Sequence, residues 1–321
     1  MLLRILTPAA LLVAAVALVA CGGDDDESSA STPAPPASDF PSTDGRTLEQ
    51  LASEATAEGP VVSPGSSTFR AGENRYTLGV FDPGGEPIAE AEVALYVAEG
   101  SKGEANGPFP AAIESLEPDG SFISRTTSLD PDVPPTFYVS DVDFPGDGEY
   151  RVMAMVKDGA DYSASLVQSA LVGEYDEIPQ PGDEAPVVHT PTQDDVADLS
   201  EIDTRDPHDS MHDTDLAEVL GKEPVVLVMA TPALCQSRVC GPSVDIAEQV
   251  KAEHGDDAVF IHQEIYVDNS VDKGLRPQVE AYGLQTEPWI FVIDADGKVQ
   301  TAFEGPISVG ELEAAVEEVS G

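Results

Sequence analysis

The sequence predicts a multi-domain chain in which an all-β sandwich is followed by an α/β unit, and three observations carry that expectation. Between Pro60 and Gly173 apolar residues recur with a period of two, as they do in half-buried strands. From Gly182 onward unbroken apolar runs alternate with helically spaced ones, the signature of buried strands linked by helices. The length of 321 residues also leaves room for two ordinary cores.

Charge narrows the function classes before any motif does. The formal net charge is −45, from 60 acidic and 15 basic residues spread along the chain. Phosphate backbones and anionic surfaces are repelled by such a field, so nucleic acid is excluded as a partner.

Residues 21–58 begin as a run of Gly, Asp, Ser, Thr, Pro and Ala up to about Asp44, too poor in large apolar groups to order itself. This stretch is expected to be a tether, with a short helix within Thr47 to Ala57 that places Leu48 and Leu51 on one side. Residues 59–174 hold the all-β unit. Its strands are expected at Arg75 to Val80, Glu92 to Val97, Tyr150 to Val156 and Ser165 to Val172, separated by Pro, Gly and Asp clusters. The order of Gly72-Glu73-Asn74, Gly84-Gly85-Glu86-Pro87 and Gly146-Asp147-Gly148-Glu149-Tyr150 ahead of strands resembles small immunoglobulin-like modules of exported bacterial proteins. Met153 and Met155 share a strand face. With no histidine nearby they read as packing residues rather than copper ligands.

Residues 175–181 read as a linker and residues 182–321 as the α/β unit. Val225 to Met229 is short and continuously apolar, as a buried strand is. Ser243 to His254 is helical, with Val244, Ala247 and Val250 on one face and Gly255 as its stop. A second strand is expected at Ala258 to Val267, a helix near Leu275 to Tyr282, and a strand at Trp289 to Ile293 directly after Pro288. Asp296-Gly297 then turns the chain into Val299 to Phe303, and Ser308 with Glu311 forms the capping box of a last helix. This order, with Gly182-Asp183-Glu184-Ala185-Pro186 at its start, resembles the membrane-anchored thioredoxin-like proteins.

The N-terminus carries a second resemblance. Arg4, the apolar run Leu11 to Ala20 and then Leu18-Val19-Ala20-Cys21-Gly22 look like a bacterial lipoprotein signal. The resemblance implies removal of residues 1–20, lipidation of Cys21 and a location on the extracytoplasmic face of the cell membrane. Outside the cytoplasm a cysteine pair can persist as a disulfide.

That pair is Cys235 and Cys240, at the end of the first apolar strand. The thioredoxin family places Cys-Gly-Pro-Cys here, with its nucleophile at a helix N-terminus. This chain has Cys240-Gly241-Pro242-Ser243, with the second thiol upstream. A helix running back through Cys235 would hold the Cα atoms about 8 to 9 Å apart, beyond disulfide reach. Cys235 is therefore expected in an irregular loop. The resemblance implies thiol-disulfide exchange with exported proteins, with Cys235, Cys240 and Pro288 as the catalytic set, Cys240 as the attacking thiolate, Pro288 as the family's cis proline, and no cofactor. Glu287 and Trp289 are unusual neighbours of that proline, and Arg238 is a nearby cation able to steady a thiolate.

Three other readings stand beside it. Thr231-Pro232-Ala233-Leu234-Cys235 with Cys240 resembles peroxiredoxins, although the threonine is displaced by one residue and no arginine accompanies Pro288. Two cysteines with His262, or with His208, Met211 and His212, resemble copper chaperones. The pair can also be a structural disulfide in a domain that only recognises a partner.

Overall fold

The computed structural model describes residues 31–320. The expected signal, Cys21 and the first residues of the expected tether lie outside the described residues. From Thr32 the chain is packed rather than loose. Thr32 bridges to Ile113, a 3-10 turn covers Ala37–Asp39, and helix α1 spans Leu48–Ala52. The capping box of α1 pairs Thr47 with Gln50. Phe40, Leu48 and Leu51 are all buried, each contributing about 1.5–3 kcal/mol of apolar burial. Three well-placed apolar side chains thus order a stretch whose composition alone reads as disordered.

The all-β unit follows as β1 (Ala57–Glu58), β2 (Val61–Pro64), β3 (Gly72–Phe81), β4 (Glu92–Glu99) and β5 (Asn106–Ser115). The short helix α2 (Arg125–Ser128) precedes β6 (Thr136–Phe144), β7 (Gly148–Asp158) and β8 (Asp161–Val172). They form one eight-stranded sheet in the order β1-β8-β7-β4-β5-β6-β3-β2. The immunoglobulin-like sandwich expected from the sequence has two separate sheets, and the structure differs because β5 serves both halves. Its first half pairs with β4, and from Ala111 onward it pairs with β6, a strand that changes sheets at a bend. The edge strands β1 and β2 are consecutive in the chain, and Phe69 bridges to Val172. The edges therefore meet and the unit is barrel-like.

Alternation along the strands assigns each face. Tyr138, Val142 and Phe144 of β6 point into the barrel core with Leu95, Val97 and Val152. Phe137 and Val139 point outward, toward the second unit. Ala94, Tyr96, Met153 and Met155 also face outward, where Phe40, Leu48 and Leu51 cover them. The two methionines are thus packing residues.

The stretch after β8 is docked as well: Ile178 is buried, and Arg70 donates to the carbonyls of Tyr175 and Ile178. The second unit contains α3 (Leu216–Val219), β9 (Val225–Met229), α4 (Cys240–His254), β10 (Val259–Gln263), α5 (Pro277–Ala281), β11 (Trp289–Ile293), β12 (Val299–Glu304) and α6 (Val309–Ser320). Its sheet order is β10-β9-β11-β12, with β9 and β10 parallel and the other pairs antiparallel. This is the thioredoxin-like arrangement. Val226, Val228, Ile290 and Val292 face α4 and α6, while Leu227, Met229, Phe291 and Ile293 face α3 and α5. Ser308 and Glu311 cap α6 reciprocally, and Gly182 and Ala185 of the opening segment pair along Val299 and Gly297.

The two units share polar and apolar contacts. Arg75 reaches from β3 to a forked ion pair with Glu311 and to the Pro306 carbonyl. Glu304 accepts from Ser67 and from the Thr68 amide. Gly305, at φ 83°, lies so close to Gly65 that a Cβ would strike its carbonyl. The long β5–β6 connection lies on α4. There the buried Asp245 carboxylate accepts from the amide and hydroxyl of Ser124 at 3.0 and 3.1 Å and from Arg205 Nε at 2.7 Å. Arg205 also donates to the carbonyls of Phe122 and Pro207.

Candidate functional site

The end of β9 delivers the chain into a turn, where the amides of Leu234 and Cys235 donate to the Thr231 carbonyl. Arg238 then takes a left-handed conformation, φ 65°, unusual for a residue with a Cβ. This folds Cys235 back over the start of α4, as the helix geometry requires. Cys235 and Cys240 form a disulfide with Cα atoms 5.9 Å apart, inside the usual range.

Cys240 opens α4, whose first-turn N–H groups and dipole favour a thiolate. It is fully buried, whereas Cys235 keeps 5% exposure. The thioredoxin resemblance implies Cys240 as the attacking sulfur, yet Cys235 is the more exposed of the two. Cys235 and Cys240 share one buried cluster with Leu116 and Phe137 of the all-β unit, and a Cβ on Gly241 would crowd the Thr127 hydroxyl of α2 at 2.8 Å. The all-β unit, expected to be a spacer or docking module, therefore forms one wall of the site.

Proline 288 follows a cis peptide bond, as the thioredoxin resemblance implies. Glu287, noted in the sequence only as an unusual neighbour, brings a carboxylate oxygen within 4.8 Å of both sulfurs. One oxygen contacts the Tyr266 hydroxyl at 3.5 Å and the other is buried without a hydrogen-bond partner. Burial, reinforced by the nearby Glu264 charge, pushes the Glu287 carboxyl up to about 7. A cleft of about 340 Å³ leads along this side, lined by Gln236, Ser237, Tyr266, Thr286 and Glu287. The one signal for Glu287 in the sequence is a lone carboxylate between a turn and a wholly apolar strand.

The other expected groups go elsewhere. Arg238 pairs with Asp130 at 3.0 Å instead of steadying a sulfur. The Thr231 hydroxyl is buried with no hydrogen-bond partner, and Arg205 is committed to Asp245, so the peroxiredoxin resemblance finds no threonine–arginine pairing. His262 and His212 gather with Asp203 and Asp209 in a separate cluster, while the described ligand-type group at the two sulfurs is Glu287. The copper-chaperone arrangement of two cysteines and a histidine is not formed. Trp289 is buried and its indole donates to Thr286 Oγ1 at 3.0 Å.

No protein-family model matches the chain, and no curated protein matches it. Among solved structures, the chain is similar to a protein from Chlorobium tepidum provisionally described as thiol:disulfide interchange protein DsbE, at 18% identity and a TM-score of 0.33. It is also similar to a thiol:disulfide interchange protein of the thioredoxin family from Chlorobium tepidum TLS, at 18% identity and a TM-score of 0.31. Each match covers 44% of this chain and 99% of the other. The thioredoxin-like fold is established here by strand order and pairing.

Glu287 makes stability depend on pH. Between its ordinary value of 4.5 and about 7 the folded chain holds a proton that the unfolded chain has released. The contribution of this group therefore favours folding at low pH, falls as pH rises through that window, and levels off above it. Urea unfolding at several pH values should show the Glu287→Gln variant gaining on the parent chain as pH rises through this window. Parallel stability curves for the two proteins would contradict the assignment.

Proposed function

We propose that the chain is a lipid-anchored thiol-disulfide oxidoreductase acting on exported proteins outside the cytoplasm. The observation that carries this reading is the grouping of the Cys235–Cys240 disulfide, the start of α4 and the Glu287 carboxyl beside one cleft. A plain staple needs no titratable group at its sulfurs.

In the reducing half of the exchange a partner thiolate attacks Cys235 Sγ. The Cys235–Cys240 bond breaks, a mixed disulfide forms, and Cys240 leaves as a thiolate facing the first turn of α4. Glu287, protonated up to about pH 7, gives that thiolate its proton. The resulting carboxylate then takes the proton of a second partner thiol, which attacks the mixed disulfide and releases the reduced pair. Cys235, released as a thiolate, takes its proton from solvent, which received one when the first partner thiol ionised. Two electrons and, in net, two protons therefore pass from the partner dithiol to the pair, and oxidation of a partner is the same path reversed. In this reading Pro288, next to Glu287, borders the partner's chain as it passes the sulfurs.

Residues 1–20 act as the export signal and Cys21 as the lipidated residue that holds the chain at the membrane. The support is the sequence Leu18-Val19-Ala20-Cys21-Gly22. Among the described residues no helix is long and apolar enough to cross a membrane. Fractionation tests the anchor: Cys21→Ala should move the protein from the membrane fraction to the soluble one, and unchanged partitioning would refute lipidation at this residue.

The exchange is tested with a peptide bearing one thiopyridyl-activated cysteine. The Cys240→Ser variant, which keeps the outer sulfur, should form a mixed disulfide at least about tenfold faster than Cys235→Ser. If neither folded variant reacts, the disulfide is a staple and the domain a recognition module.

A further inference from the structure

A second constellation lies away from the disulfide and takes no part in the exchange. After a 3-10 turn at Leu199–Glu201 the chain loops through Asp203, Asp209 and His212, and the Met211 carbonyl accepts the His262 amide of β10 at 3.0 Å. This pins the loop along the strand. Asp203, Asp209, His212 and His262 are 0, 6, 3 and 2% exposed, and each offers one ligand atom within 4.8 Å of all the others.

The hydrogen bonds around these groups leave a cation-shaped gap in the chemistry. His262 Nε2 lies 3.2 Å from the Ala230 carbonyl, which can accept only if that nitrogen carries the proton. Nδ1 then faces Asp209 Oδ2 at 2.6 Å, a contact that calls for positive charge on that side, from a second ring proton or from a metal ion. His212 is buried with neither ring nitrogen hydrogen-bonded, although its Nε2 is 3.3 Å from Asp209 Oδ1 and 3.7 Å from Asp203 Oδ2. The carboxylates are held in place by backbone donors: the Arg205 and Asp209 amides on Asp203, and the Met211 amide on Asp209.

We infer that Asp203, Asp209, His212 and His262 form a buried binding site for a divalent metal ion of the zinc type. Ligands of a tetrahedral zinc stand about 3.3 Å apart for bonds of about 2.0 Å; the 3.3 and 3.7 Å separations around His212 suit that spacing, and the 2.6 Å contact of His262 Nδ1 with Asp209 Oδ2 must open when both residues take one ion. Two neutral imidazoles and two carboxylates cancel the charge of a divalent ion, which removes the cost of burying unpaired carboxylates. The His262 bond to the Ala230 carbonyl is the outer support that orients metal-binding histidines. An all nitrogen and oxygen donor set favours zinc-type ions over copper(I), which prefers sulfur. His208, 35% exposed at its side chain and 3.3 Å from Asp203 Oδ2, marks the solvent side of the loop.

Cobalt(II) is the probe, added to chelator-stripped full-length protein with its disulfide intact. The expected result is one cobalt per chain, intense visible bands of a four-coordinate nitrogen and oxygen site, no sulfur charge-transfer band, and displacement by zinc. The Cys235→Ser/Cys240→Ser variant should bind identically, whereas Asp209→Asn and His262→Gln should not retain the metal through dialysis. If those two variants fail to fold, the spectrum and stoichiometry of the parent chain decide the question. Failure of the folded parent chain to retain cobalt or zinc overturns the proposal, with protons then filling the role, and so does binding that needs the cysteines or survives His262→Gln.

Discussion

The arrangement depends on one buried carboxylate. Asp245, in the second turn of α4, is fully buried and holds the β5–β6 connection through Ser124 and the opposite loop through Arg205. Removing one partner of such a pair strands the other in low dielectric, at a cost of about 3–5 kcal/mol. The same helix begins with Cys240, so the group that joins the two units also fixes the helix end beneath the disulfide. Gln249 extends the seam by accepting the Asp119 amide, and Arg238 closes its outer end on Asp130.

This seam explains how an all-β unit bears on thiol chemistry. Leu116 and Phe137 share the buried cluster of the two cysteines, and Thr127 packs against Gly241 beside Cys240. Approach is left to the side of Gln236, Ser237 and Glu287. In the proposed exchange a partner would reach Cys235 past a carboxyl pushed up to about 7. That carboxyl can lose or gain charge beside the sulfurs around that value.

Much of the α/β unit was legible because its signals are local. The apolar run of β9, the Gly255 stop of α4, the Ser308–Glu311 cap and Pro288 before β11 each lie within a few residues of what they determine. That Cys235 must lie in an irregular loop if it pairs with Cys240 followed from helix geometry. Less legible were features that join distant residues. Phe40, Leu48 and Leu51 order the expected tether only because the outer faces of β4 and β7 are apolar and waiting. β5 was missed as the strand that joins the two halves of the sheet, since its prolines and glycine mask the period of two. Cys240 shares its buried cluster with Leu116 and Phe137, over a hundred residues earlier, and the environment of Glu287 depends on Tyr266 and Glu264 from a different part of the chain.

The central claim is that Cys235 and Cys240 are an exchangeable couple rather than a staple, and the reduction potential of the pair in the full chain tests it most directly. Equilibration against defined thiol–disulfide buffers should give a value above roughly −300 mV, the region below which structural disulfides fall. A value at or below that limit, in a chain that passes no electrons to protein disulfides, would contradict the account.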